Sequence, residues 1–274
     1  MENPQVPMDW TYSLCGFVVG ALVGVTGMGG GSVMTALLIL VFGVHPLTAV
    51  GTDLLFAAVT KATGARVHAA KGNVVWPVVG LLAAGSVPAT GLTICLLSLA
   101  PVKSPALTHF ITMALGTAIL LASAALLIRL RLPPEQIGQQ IGQARIESTV
   151  QREPMRSRPL LTITLGALLG IVVTLTSVGA GAIGIVLLRY LHPAITSVRL
   201  VGTDIAHAVP LTLLAGTGHW LMGDVDWALL ASLLAGSIPG IVLASHIAHR
   251  LPEHVMRPVL GLVLLGIGLP LILS

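Results

Sequence analysis

Three stretches of this chain, Leu14–Phe42, Val74–Ala100 and Leu160–Leu188, contain no charged residue. Each exceeds the roughly 20 residues a helix needs to cross a bilayer. Only 9% of all residues are charged, against about a quarter in a soluble domain. Further apolar runs cover Leu47–Thr60, Leu107–Ile128, Leu200–Leu221, Trp227–Ser245 and Pro258–Leu273. A soluble fold is excluded, and the expected class is an all-α polytopic membrane protein with eight hydrophobic segments.

The segments form two copies of one unit. Val50-Gly51-Thr52-Asp53 returns 151 positions later as Val201-Gly202-Thr203-Asp204. His68, Gly72, Val74 and Trp76 return as His219, Gly223, Val225 and Trp227, and Gly85-Ser86-Val87-Pro88 returns as Gly236-Ser237-Ile238-Pro239. Apolar composition alone could match Val, Leu and Ala, but it could not align Asp, His, Trp and Pro in register. Duplicated membrane units typify transporters whose site lies between the repeats. The expected organisation is a first repeat over residues 1–128, a polar cytoplasmic linker over 129–159 and a second repeat over 160–274. The arginine-rich linker could carry a short surface helix through Ile137 and Ile141.

A sequence pI near 9.6 does not mark a nucleic-acid binder, because the basic residues lie between membrane segments, where they set orientation. The first 13 residues hold no Lys or Arg, so a basic signal-peptide start is not expected. Cys15 and Cys95 lie in apolar runs and read as inert buried thiols. The tryptophans at positions 10, 76, 220 and 227 fall at segment ends, where indole prefers the lipid–water boundary.

The first segment of each copy is interrupted, at Gly27-Met28-Gly29-Gly30-Gly31 and at Ser177-Val178-Gly179-Ala180-Gly181. Glycine costs about 1 kcal/mol relative to alanine within a helix, so these runs predict breaks. If the interrupted segments enter and leave on one face, the two copies become inverted. Every Lys and Arg except Lys103 then falls on the cytoplasmic side, as the positive-inside rule prefers. Lys61, ending its apolar run, is expected to snorkel to that surface.

Asp53 and Asp204 are the sharpest chemical signals. A carboxylate at a helix centre costs about 2.5–3.5 kcal/mol on insertion scales, so it normally faces protein or water. Two roles fit them: proton or cation coupling, and capping of helix starts through backbone N–H groups. His207 follows Asp204 by one turn and could bond it or relay a proton. A broken helix also exposes unpaired N–H groups and a positive dipole end, an anion site needing no charged side chain. Gly27, Gly29, Gly30, Gly31, Ser32, Gly51 and Thr52 are the candidate substrate contacts in the first copy. Gly179, Gly181, Gly202 and Thr203 are those in the second. His68 and His219 read as structural, and Gly85–Pro88 and Gly236–Pro239 as packing elements. No nucleophile elbow, Walker loop or zinc motif appears, so neither an enzyme nor a cofactor or resident metal is expected.

Taken in order, these parts resemble the TauE/SafE family of sulfite and organosulfonate transporters. The resemblance rests on Gly27–Ser32, Pro46, Ala49–Thr52, Gly72–Trp76 and Gly85–Pro88. Their second-half matches are Gly179–Ala182, Pro193, Gly202–Thr203, Gly223–Trp227 and Gly236–Pro239. It implies a bacterial inner-membrane secondary carrier for a small sulfur-containing anion such as sulfite, thiosulfate, sulfoacetate or a related carboxylate. Where the family commonly has a small polar residue after Gly-Thr, this chain has Asp in both copies, which makes proton coupling attractive. Beyond the anion and the lipid bilayer, a homo-oligomer is compatible with the sequence. Two rival readings are a divalent cation carrier using Asp53, Asp204 and His207, and an accessory membrane subunit of a sulfur pathway.

Overall fold

The computed structural model describes residues 10–26, 31–100, 104–128, 158–247 and 253–273. The linker and its expected surface helix lie outside them, as do Gly27, Met28, Gly29, Gly30 and Lys103. The described residues form ten helices. In the first copy these are α1 (Trp10–Thr26), α2 (Gly31–Leu40), α3 (Pro46–Ala70), α4 (Trp76–Leu99) and α5 (Pro105–Ile128). The second copy supplies α6 (Pro159–Thr176), α7 (Ala182–Leu191), α8 (Ser197–Leu221), α9 (Trp227–Ile247) and α10 (Glu253–Leu273). Five described helices fall in each copy: in the second the first hydrophobic segment divides at its break, and in the first the described residues stop at Thr26 and resume at Gly31.

The duplication reaches the helix boundaries. Pro46 and Ser197, and Trp76 and Trp227, open corresponding helices at the same 151-residue spacing. Packing repeats as well: α1 lies along α9 as α6 lies along α4, while α3 packs on α8 and α5 on α10. Exchanging the copies leaves this pattern unchanged. Within the α3–α8 pair, Gly51 meets His219, Leu55 meets Gly216, Gly64 meets Ile205 and His68 meets Gly202. Contacts that descend along one helix as they climb the other make the pair antiparallel.

Small residues bring the outer pairs together. A side chain at Gly85 would strike the Ile163 backbone, and one at Gly166 the Leu82 backbone, so α4 and α6 touch almost main chain to main chain. Gly236 against Ser13 and Gly16 against Leu233 repeat this between α9 and α1. Close approach through glycine is how helices associate where lipid removes the hydrophobic drive. Gly16 and Gly20 correspond to Gly166 and Gly170 at a spacing of 150, one short of the main repeat. The offset therefore changes between Gly20 and Gly31, around the first glycine run.

Five of the described helices are long and apolar enough to cross a membrane: Trp76–Leu99, Pro105–Ala125, Pro159–Thr176, Ser197–Leu221 and Trp227–Ala244. Their outward faces carry large apolar side chains, among them Leu92, Leu96, Leu121, Leu168 and Leu213. Such continuous apolar exposure suits lipid, not water. The four tryptophans stand exposed at helix ends, with Trp220 and Trp227 in an edge-to-face pair at 5.5 Å. Cys95, expected to be buried, lies on the exposed face of α4, and Cys15 is half-buried; both are free thiols.

Candidate functional site

The second break is fully described, and its geometry follows from its residues. Ser177 turns left-handed at φ 58° and closes α6 by donating its N–H to the Val173 carbonyl at 2.8 Å. Thr176 stitches the turn, its hydroxyl accepting the Val178 N–H at 3.1 Å. Gly179 at φ 126° and Gly181 at φ 121° then adopt backbone that L-side chains avoid. From there α7 starts at Ala182, with its N-terminal amides directed back into the break.

Both aspartates converge on this break. Asp53 is 0% and Asp204 1% exposed. Asp53 accepts a hydrogen bond from the Thr35 hydroxyl of α2, and the Ser177 hydroxyl faces the same carboxylate without completing a bond. Asp204 lies beside the Gly181 backbone without a completed bond to it, and its Oδ1 occupies the space a side chain at Gly184 would need. The anionic position at the α7 N-terminus is thus filled by a carboxylate from α8. Neither aspartate caps its own helix, since each lies in the interior of α3 or α8. Asp204 instead lies against the first turn of α7, next to Gly184.

Lys61 corrects the expectation of a surface charge. Its apolar run ends at Thr60, but α3 continues to Ala70, so Lys61 is interior and only 8% exposed. Its ammonium donates to the Ala180 carbonyl within the break at 3.4 Å. Asp53 and Asp204 both act on it electrostatically, although neither closes an ion pair with it. The corresponding residue in the other copy is Thr212, so this centre has one cation where the duplication would permit two. Helix-forming Ala62–Ala70 with no stop before Lys71-Gly72 was the available signal for a longer helix.

His207 departs from expectation in its partner. Its Nε2 lies 2.9 Å from the Ser86 hydroxyl of α4, and it makes no bond to Asp204. Four buried polar atoms here have no hydrogen-bond partner among the described residues: Asp53 Oδ1, Asp204 Oδ1, Ser177 Oγ and His207 Nδ1. Buried polar groups are almost always paired, so a cluster of orphans invites a ligand. Thr35, Lys61, Ser86 and Ser177 were absent from the expected site. Thr35 and Lys61 have unlike counterparts in the other copy (Val186 and Thr212), so the duplication could not flag them.

The Gly-Thr pairs are structurally committed. Thr203 Oγ1 accepts the Val75 N–H at 3.0 Å, and Thr52 Oγ1 accepts the Asp226 N–H at 3.1 Å. Each threonine thereby holds the helix hairpin of the opposite copy, while Gly51 and Gly202 admit the backbone of Asp224 and Asn73. His219 joins this lock, its Nε2 2.9 Å from the Thr174 carbonyl and its Nδ1 3.5 Å from Asp224. In the first break, Gly31 opens α2 and Ser32 follows it; Gly27, Gly29 and Gly30 lie outside the described residues. An apolar groove of about 320 Å³ between α6 and α7, lined by Leu165, Leu168, Leu187 and Tyr190 among others, includes none of the charged residues.

Apolar helices packed through glycine, a helix interrupted within the membrane and charge buried against the interruption together define a multi-pass membrane transporter. The family model described as sulfite exporter TauE/SafE matches residues 12–271, and the chain belongs to that family. It is 37% identical over 269 residues to the probable membrane transporter protein YjnA of Bacillus subtilis (strain 168), covering 97% of this chain and 100% of that protein. It is also 29% identical over 246 residues to the probable membrane transporter protein YdhB of the same organism, covering 88% and 91%. No solved structure matches it.

Proposed function

We propose that the protein is a secondary carrier moving a small sulfur-containing anion, such as sulfite, thiosulfate or an organosulfonate, across the bacterial inner membrane with protons. The carrying observation is the α7 N-terminus, where a buried carboxylate already occupies an anion position beside a buried ammonium. A helix start and a lysine favour negative charge, and the family name points to sulfite. Asp53 and Asp204 take the protons, while His207 completes the polar lining. The antiparallel α3–α8 pair supports inverted repeats that rock about their shared contact to alternate access.

The cation-carrier reading is weaker. Lys61 repels a metal from the aspartates, and no group of three or more potential His, Cys, Asp or Glu ligands gathers among the described residues. Purified protein in proteoliposomes should accumulate labelled sulfite, thiosulfate or sulfoacetate when a pH gradient is imposed, and those anions should raise its melting temperature. Stabilisation by divalent metals alone, with no anion flux, would overturn the reading.

A further inference from the structure

We propose that Lys61 is the charge partner of the transported anion, and that loading exchanges the Asp204 carboxylate for substrate, so that one proton enters with each monoanion and the cycle is electroneutral. This rests on the anion-carrier reading above. It follows from geometry and charge count at the second break.

Three groups of formal charge meet there: Asp53 and Lys61 from α3, and Asp204 from α8. His207 of α8 also faces Lys61 and is taken as neutral, its Nε2 held by Ser86. Thr35 of α2, Ser177 and the Ala180 carbonyl bring polarity but no charge. Unbalanced charge buried in a membrane protein is expensive, and like carboxylates sharing a site resist joint ionisation. With Lys61 charged, the unloaded centre is neutral when one of the two carboxyls holds a proton.

An anion bound at Lys61 adds one negative charge and meets the Asp204 carboxylate at the start of α7. Protonating that carboxyl removes the repulsion, weakens its hold on the start of α7 and restores neutrality. Substrate then takes the ammonium and the helix start that the carboxylate relinquishes. By linkage, anion binding must raise the proton affinity of the pair by the factor by which protons raise anion affinity. An ammonium has three donors, and among the described residues it makes one hydrogen bond, to Ala180. The orphan oxygens of Asp53 and Asp204 mark where the incoming proton and substrate hydrogen bonds can be satisfied.

The test uses the full chain in proteoliposomes, with isethionate and with sulfite at mildly acidic pH as probes, both monoanions. An internal pH dye reads proton entry, and valinomycin sets the membrane potential. Wild type should move one proton per anion at a rate indifferent to potential. Lys61→Gln should raise KM at least tenfold while Lys61→Arg largely retains uptake, with melting temperatures confirming that both variants fold. The double variant Asp53→Asn/Asp204→Asn should still carry anion, but without protons and with a rate that follows the potential. Flux that follows potential in wild type, an unchanged KM in folded Lys61→Gln, or proton entry surviving in the double variant each overturns the inference while leaving anion transport standing. If neither probe moves in wild type, the carrier reading fails and takes this inference with it.

Discussion

Lys61 and Thr35 show how single side chains set the chemistry of the centre. The Thr35 hydroxyl is the donor that holds Asp53 from a different helix. A hydrogen bond to a charged group contributes about 1.5–3 kcal/mol, so its loss should be felt even in a folded protein. Thr35→Val should cut proton-driven uptake about tenfold or more, while Thr35→Ser, which keeps the hydroxyl, should retain most of it. Equal uptake in the two variants would remove Thr35 from the site. Neither residue is duplicated, and each draws its meaning from the residues packed against it. Asp53 and Asp204, in contrast, were legible at once, because burying a carboxylate in lipid demands a reason whatever the fold.

Among the helices, the breaks and the glycine contacts divide the work. Gly181 holds φ 121° and ψ −82°, backbone that costs a side-chain-bearing residue on the order of 1–3 kcal/mol. Gly181→Ala should therefore shift the backbone beside Asp204 and lower uptake several-fold, with only a few degrees lost in melting temperature. Retained uptake would show that the backbone direction there is unimportant. The outer pairs make a different prediction. Gly85→Leu or Gly236→Leu must push α4 from α6 or α9 from α1, where overpacking typically costs about 1–3 kcal/mol and backbone contact leaves little room for relief. Both should melt earlier in detergent than Gly91→Leu, which lies on α4 with nothing within 4 Å of its added carbon. The second glycine-containing run announced its break in sequence, and the Gly-Ser-x-Pro elements announced close packing. The partners did not follow from sequence, because α4 could have packed within its own copy instead of on α6.

For the whole molecule, inverted repeats predict that equivalent hairpins open to opposite sides. In a protein with Cys15 and Cys95 replaced, Lys71→Cys and Met222→Cys should react with a membrane-impermeant maleimide from opposite faces, Lys71→Cys from the cytoplasm. Labelling of both from one face would replace inversion with a parallel duplication. Membrane class, duplication, the breaks and two costly carboxylates are determined by sequence, because lipid penalises charge and unsatisfied backbone so steeply that composition and spacing suffice. The tertiary structure alone decided that Lys61 lies inside, that Asp204 fills the start of a helix from another segment and that the Gly-Thr pairs clamp the opposite hairpins. Each depends on which helices become neighbours, and long-range packing leaves no periodic trace along the chain.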